Sequence, residues 1–553
     1  MDLWIPAYEA LETRRRRQGS QIAFSFLRLG AENFIEPQSL TWEEVFHRCL
    51  RYALLLKKLG VRRGERVAIQ GYNGVEWVLL DWACLISGVI SVPLYSGTLA
   101  DEMNQIFDEA EVKILFCGEK SAELSIRQLS FVEVEQGIQD LESPGSWVSM
   151  EDPDSIATII YTSGTSGRPK GVVHSYRNIS SAILTANEMA TLGPRDQMFS
   201  YLPLSHVAER MLIEVGCLYC GTSVFFLDRV ERLNHYLPKI RPTVFLAVPR
   251  IWDLLRFRIE KELSQNKELQ KKLRFLPRFL KKTLIARALK KKLGLDRARA
   301  CLSGAAKLST ETAQALDNLG IQIHEAYGLT ETFCISAISQ LGNPVMGSCG
   351  RIYEGVEVQI REDGEIWLKA PFHFTSYYKQ PEQTAEAIEA GWFKTGDIGH
   401  LDEEGNLYVT DRKKNLFKSS GGKYVAPYVG ESLLKGHPLI KEALVFGEDK
   451  AYCVALVSVE SPDFRIEDLK SHLESVNSKL AHHEHIKVIG VLPWAWTAAT
   501  GEMTASLKLK RKVVIEKYLK LIHQLYDTRE KVLIFGRDFS AIQEGKFSAH
   551  TGL

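Results

Sequence analysis

Several features are missing from this sequence, and each absence removes a class of protein. No uninterrupted apolar stretch reaches the roughly 18–20 residues that a membrane-spanning helix needs, so none is expected. The start, MDLWIPAYEALETRRRRQGS, carries Asp2, Glu9 and Glu12 and has no apolar core ahead of its arginines. It therefore does not read as a secretory signal. Neither sign of charge dominates. Lys and Arg total 69 against 68 Asp and Glu, a formal net charge of +1, which argues against a dedicated nucleic-acid binder. Cysteine is sparse: nine residues, odd in number and scattered, do not form a disulfide framework and favour a reducing, cytoplasmic compartment. Cys217 and Cys220 form a CxxC inside the apolar stretch Val215 to Leu227. No second pair or histidines lie at ligand spacing, so they read as core rather than as a zinc site. A Walker A loop is also missing, and so is the KxDG nucleophile of a nucleic-acid ligase.

What is present is ordinary in bulk and specific in detail. Apolar residues make up 45% and charged residues 25%, as in a soluble globular protein, and 553 residues exceed one ordinary core, so several subdomains are expected. The first part alternates short β-branched runs with amphipathic stretches. Strands are expected at Arg66 to Gln70, Val89 to Leu94, Val112 to Phe116, Ile156 to Ile160, Val224 to Leu227, Val244 to Val248 and Ile321 to Ile323, with a helix over Val75 to Gly88. That rhythm predicts α/β layers around mainly parallel sheets. From Gly355 to Trp367 the period becomes two around Asp363-Gly364, a hairpin signature, and His400 to Val409 resembles another. A small β-rich subdomain is expected there. The rhythm resets beyond Asp411, with strands at Ala443 to Phe446 and Cys453 to Val459, which sets a boundary between a domain of residues 1–412 and one of residues 413–553.

Two basic stretches are expected at surfaces. Arg14 to Arg17 reads as a solvated helix face. Gln270 to Lys292 has no acidic residue and interleaves apolar and basic residues. It reads either as a basic amphipathic helix on an anionic membrane or as a surface helix packed on its own protein. A weak echo links residues 500–505 to 544–549, and no function follows for residues 530–553.

The most informative segment is Tyr161 to Gly171, YTSGTSGRPKG. Glycines let backbone amides approach a ligand, successive amides favour an anion, and Thr162, Ser163, Thr165, Ser166 and Lys170 add hydroxyls and a cation. An apolar strand feeding such a loop is a plausible polyphosphate seat. In place of a GKS or GKT ending it has Gly167-Arg168-Pro169-Lys170-Gly171, so a P-loop NTPase is disfavoured.

Four more segments follow in order: HEAYGLTET from His324 to Thr332, GWFKTGD from Gly391 to Asp397, YVTDRKKNLFKSSGGK from Tyr408 to Lys423 and GEMTASLKLKR from Gly501 to Arg511. With the first loop they resemble the adenylate-forming enzymes, which include acyl-CoA synthetases, luciferases and adenylation domains. YLPLSHVAERM (201–211), PTVFLAVPRIW (242–252) and SSGGKYVAP (419–427) make the chain most similar to long-chain fatty acid–CoA ligases. The resemblance spans about residues 20 to 520 and implies a large α/β domain with a small, mobile α+β lid.

It further implies ATP, CoA and a fatty acid as substrates and Mg²⁺ as the metal. On this resemblance the loop Thr162, Ser163, Gly164, Thr165, Ser166, Gly167 and Lys170 holds the β- and γ-phosphates. Thr330 bonds the α-phosphate. Glu331 binds Mg²⁺, with Thr162 a second candidate. Tyr327 flanks adenine in a pocket shaped by Gly304, Ala305 and Glu325. Asp397 accepts from the ribose hydroxyls with Arg412 in support. Lys508 bridges the substrate carboxylate and the α-phosphate, although Lys510 points to the same side of an extended segment and is not separated from it by periodicity. Lys414 falls at an interdomain hinge, and Gly421, Gly422 and Lys423 approach CoA once the lid has turned. His206 is either a liner of the acyl and nucleotide sites or a core histidine. An acyl-AMP ligase, an acyl–acyl-carrier-protein synthetase and a non-catalytic membrane scaffold remain as alternatives.

Overall fold

The computed structural model describes residues 4–29, 35–149, 151–162, 169–265, 287–459, 465–497, 500–504 and 509–536. Two large sheets organise residues up to 378. The first has nine strands in the order Arg351–Ile352, Ala337–Ile338, Ile323–Tyr327, Ala300–Ser303, Val244–Ala247, Gln197–Ser200, Ser223–Phe226, Ile22–Leu29 and Ile35–Thr41. From Ile323–Tyr327 through Ile22–Leu29 the neighbours are parallel, and the edges are antiparallel. The second has seven strands in the order Ser376–Tyr377, Lys170–Ser175, Ile156–Thr162, Ile90–Leu94, Arg66–Gln70, Val112–Cys117 and Gln128–Ser130. It is parallel except where Lys170–Ser175 meets its two neighbours. The α/β reading from the repeating pattern holds.

Helices Trp42–Lys58 and Val75–Ser87 share one large core with both sheets. Trp42 and Trp82 stack at 6.2 Å, and Phe24 of the nine-stranded sheet packs on both. Local signals set the ends of these helices. Thr41 and Glu44 form a capping box at the first, and Gly88 closes the second in the left-handed conformation (φ 70°).

The hairpin signatures fold as antiparallel strands: Glu357–Ile360 with Glu365–Lys369, and Trp392–Leu401 with Leu407–Arg412. Gly364 and Gly405 supply the left-handed turn positions (φ 80° each). Beyond them a four-stranded sheet, Ile440–Phe446, Cys453–Val459, Ile486–Leu492 and Val532–Ile534, carries helices Ile466–Asn477 and Arg511–Asp527. Each of its faces buries a separate apolar cluster.

Two expectations need correction. Ile321 precedes its strand instead of opening it: its amide bonds back to Leu316 O and closes the preceding helix, and the strand runs from Ile323 to Tyr327. Only half of the Arg14–Arg17 run is solvated. Arg16 and Arg17 are exposed, whereas Arg15 lies 4.6 Å over the Phe46 ring and Arg14 bonds Gln18. The helix packs into the core through Ala7, Ala10 and Leu11, so the long stem of Arg15 lies along apolar surface. Cys217 and Cys220 are both buried, and Cys217 bonds Thr222 O. Among the described residues no helix is long and apolar enough to cross a membrane. Residues 266–286, which hold most of the basic segment, and residues 544–549 lie outside the described residues.

Candidate active site

The candidate residues collect where parallel strands end, the usual crevice for ligands in α/β sheets. In the seven-stranded sheet, Ile156–Thr162 and Lys170–Ser175 form the antiparallel arms around the phosphate loop, with Thr162 opposite Lys170. Ser163, Gly164, Thr165, Ser166 and Gly167 lie outside the described residues. Gly171 is required by packing, because a Cβ there would sit 2.8 Å from Ile159 Cγ2 and 3.1 Å from the Tyr161 ring. Lys170 Nζ lies 4.8 Å from the centre of the Tyr377 ring.

In the nine-stranded sheet, strand Ile323–Tyr327 runs into the tight turn that carries Thr330 and Glu331. Gly328 is obligatory here: a Cβ would lie 2.2 Å from Cys334 O. Thr332 Oγ1 accepts from Leu329 N at 3.0 Å and closes the turn. Phe333 (φ 45°) and Cys334 (φ 67°) take left-handed backbone that costs of order 1 kcal/mol or more per residue. Two bonds fasten this turn to its surroundings. His174 Nε2 donates to Thr330 O at 2.7 Å, and Phe374 N donates to Glu331 O at 2.7 Å. His174 is fully buried, and burial pushes its imidazole down to about 3, so it stays neutral. Tyr377 Oη donates to Glu331 Oε1 at 2.7 Å.

The third group is an ion-paired triad. Asp397 is buried and takes Arg412 Nε on Oδ1 at 2.6 Å and Tyr327 Oη on Oδ2 at 2.7 Å. The two strands are in register, with Asp397 in the middle of one opposite Arg412 at the end of the other. Burial pushes the Tyr327 phenol up and Asp397 adds to it, so Tyr327 acts as a donor. Glu325 lies behind, accepting from Leu308 N at 3.1 Å, and burial raises its carboxyl to about 7. Gly304 and Ala305 (φ 67°) follow strand Ala300–Ser303, with Gly304 next to Ala326 O. Desolvation and the neighbouring Arg412 push the Lys414 ammonium below its ordinary value, and Asp397 acts against them.

The carboxyl-terminal candidates are less assembled. Gly421, Gly422 and Lys423 form an exposed turn between Phe417–Lys418 and Tyr424–Val425, with Gly422 left-handed (φ 75°). Ser419 N bonds Lys423 O and Ser420 N bonds Lys450 O, within the same domain. Lys508 lies outside the described residues. Its flanks are held: Met503 bridges Leu509, Lys510 N bonds Glu502 O at 2.7 Å, and Arg511 pairs with buried Glu431 and donates to Val445 O. Lys510 is exposed at the start of helix Arg511–Asp527. His206 is half-buried and caps its helix, with Nδ1 accepting from Ala208 N.

The sequence reading missed His174 and Tyr377. His174 was detectable, since it is a polar residue inside the buried run GVVHS. Tyr377 left no such sign, because only the register that sets it opposite Val172 brings it to the site.

A family model of the AMP-binding enzyme matches residues 11–378, and one of the AMP-binding enzyme C-terminal domain matches residues 415–530. The chain belongs to the AMP-binding enzyme family. It is 30% identical to the long-chain-fatty-acid–CoA ligase FadD15 of Mycobacterium bovis, over 88% of this chain and 92% of that one. It is 28% identical to the human long-chain-fatty-acid–CoA ligase ACSBG2, over 90% of each. Among solved structures it is similar to the anthranilate CoA ligase AuaEII in complex with anthranoyl-AMP, with TM-score 0.77, 20% identity and coverage of 93% and 97%. It is also similar to the O-succinylbenzoate CoA synthetase MenE of Bacillus subtilis in complex with AMP, with TM-score 0.73, 24% identity and coverage of 91% and 97%. These structures establish the fold of a family member, and the relatives bear out the resemblance to long-chain fatty acid–CoA ligases.

Proposed function

We propose that this AMP-binding enzyme is an ATP-dependent long-chain fatty acid–CoA ligase that works through an acyl adenylate. The observation that carries the reading is the meeting of the Tyr327–Asp397–Arg412 triad with the Lys170–Tyr377–Glu331 group at the strand ends. One group suits a nucleoside and the other its phosphates. The similarity to long-chain ligases supplies the acid and the thiol.

A carboxylate resists thiol attack because its carbonyl carbon is electron-rich. In the first step a carboxylate oxygen attacks the α-phosphorus and the bond to pyrophosphate breaks. In the second the CoA sulfur attacks the acyl carbon, the C–O bond to AMP breaks and the thiol proton is released. The protein mainly orients the reactants and stabilises charge. Asp397 holds the ribose hydroxyls, Arg412 and Tyr327 keep its carboxylate in place, and Lys170 with Thr162 and the loop 163–168 faces the phosphates. Lys508, or Lys510 in its place, steadies the negative charge shared by acid and α-phosphate.

The donor set fits Mg²⁺ held largely by nucleotide. Among the described residues no cluster of three or more metal-ligating side chains occurs, and Glu331 with Thr162 offers the hard oxygens that such a metal takes beside phosphate. When bound, Mg²⁺ neutralises phosphate charge. We place the hinge at Lys414, in the turn Lys413–Asn415 that leaves strand Leu407–Arg412, with the lid as residues 413–553. Rotation there exchanges Lys508 for Gly421, Gly422 and Lys423 at the reaction centre.

The test is labelled pyrophosphate exchange into ATP with palmitate, followed by AMP and thioester release on adding CoA. Exchange without thioester would make the protein an acyl-AMP ligase, and no exchange with any fatty acid would end the reading. The basic composition of residues 270–292 supports contact with an anionic membrane. Reversing Lys281, Lys282 and Lys290–Lys292 should then weaken pelleting with phosphatidylserine vesicles, and unchanged pelleting would remove that contact.

A further inference from the structure

Three strands converge on Glu331. Ser376–Tyr377 pairs with Lys170–Ser175, which pairs with Ile156–Thr162, the arm that leads into the phosphate loop. This register puts Tyr377 between two groups of the proposed site that belong to different sheets. Its hydroxyl bonds Glu331 Oε1 at 2.7 Å, and its ring lies under Lys170 Nζ at 4.8 Å. The ring is buried, packs 4.9 Å from Phe374, and its own amide is held by Thr384 Oγ1 at 3.0 Å. A carboxylate oxygen only accepts, so in this contact the phenol hydroxyl is the donor. The ammonium over the ring face is an attractive cation–π contact, and it draws electron density from the ring that carries the donating hydroxyl.

Resting on the reading above, we propose that Tyr377 is a positioning residue for adenylation, holding the Glu331 carboxylate in one rotamer with Oε2 free for the metal and parking Lys170 beside the phosphate seat. A hydrogen bond from a neutral donor to a carboxylate is among the stronger kinds, and fixing one oxygen leaves the other pointing in a defined direction. The backbone of the same turn is anchored separately, by His174 on Thr330 O and by Phe374 N on Glu331 O, so the tyrosine hydroxyl restrains only the side chain of Glu331. The two half-reactions should therefore respond differently. Forming the adenylate uses the metal and the β- and γ-phosphates, whereas forming the thioester from a supplied adenylate uses neither.

The experiment compares wild type with Tyr377→Phe, which removes one oxygen and keeps the ring under Lys170. Mn²⁺ is titrated into the full-length protein with a non-hydrolysable ATP analogue and followed by electron paramagnetic resonance. The variant should bind Mn²⁺ about tenfold more weakly, the scale seen when a partner of a metal ligand is lost. The Mg²⁺ needed for half-maximal pyrophosphate exchange should rise by a similar factor. Thioester formation from supplied palmitoyl-AMP and CoA should stay within about twofold of wild type, because no lost interaction acts in that step. Both half-reactions are read on one sample, so a smaller folded fraction lowers them together and leaves their ratio unchanged. Unchanged or tighter Mn²⁺ binding, or equal loss in both half-reactions, overturns the proposal. A wild type that exchanges no pyrophosphate with any fatty acid refutes the ligase function itself, and the Mn²⁺ titration still decides the role of Tyr377.

Discussion

The nucleotide side of the large domain and the carboxyl-terminal segments assigned to the same chemistry are built in opposite ways. Asp397, Glu331 and Lys170 each already have a partner: Arg412 and Tyr327 for the first, Tyr377 for the other two. The turn carrying Thr330 is held by His174 and pays for two left-handed residues. Gly421, Gly422 and Lys423 instead stand exposed on a short hairpin, and Lys510 is exposed beside the segment that holds Lys508. A pocket that must recognise one rigid nucleotide gains from groups fixed in advance. Segments that take turns at one centre cannot be tied down in either position.

Exchange kinetics of lysine variants would sharpen that contrast most. Lys508→Ala should lower pyrophosphate exchange by about 10²–10³-fold, as expected for a charge-stabilising group aimed at the transition state, while thioester formation from supplied adenylate persists. The larger loss in Lys510→Ala would transfer the role to that residue. Next in size, Asp397→Ala should raise the KM for ATP roughly 10²-fold, since it deletes the acceptor and strands Arg412 and Tyr327. A loss confined to kcat would break the view that this triad acts in binding.

Gly422→Ala tests the other region. Its φ of 75° strains any side chain by about 1–2 kcal/mol, so the thioester step should slow roughly tenfold with exchange retained. Equal slowing of both steps would place the turn outside CoA chemistry. The smallest effect is on stability. Glu325 titrates at about 7 when folded, above the ordinary carboxylate range, because burial disfavours its charge. Between the unfolded and folded values the native state binds the extra proton, so this group's contribution is full at low pH and falls as pH rises to about 7. Thermal unfolding of Glu325→Gln should therefore show a Tm that gains on wild type between pH 5 and 7.5. A constant difference across that range would mean that Glu325 is not held neutral.

Much of the fold was legible because its signals are local. β-Branched runs, the helical stretch from Val75 and the Asp363-Gly364 turn each act within a few residues, and the structure agrees with each. The arginine run shows where locality fails. Its four charges look alike in sequence, yet Arg14 and Arg15 are half-buried and Arg16 and Arg17 are exposed. The start of strand Ile323–Tyr327 was displaced because the helix closure at Ile321 is a backbone bond, which residue type does not announce. Candidate site residues were recognisable where glycine, hydroxyl and charge crowd together. His174 left only the sign of a polar residue in a buried strand, and Tyr377 left none, since each acts on a partner more than forty residues away, Thr330 and Glu331 respectively.

By itself the sequence determined the α/β alternation, the succession of motifs and the family, because periodicity and short glycine-rich loops write their physics into neighbouring residues. Only the tertiary structure decided which side chains share a site. Sheet register set Tyr377 beside Lys170 and Glu331, and brought Arg412 opposite Asp397. Contacts of that kind join residues by hydrogen-bond pairing across strands, which depends on how distant segments align and not on what either segment prefers alone.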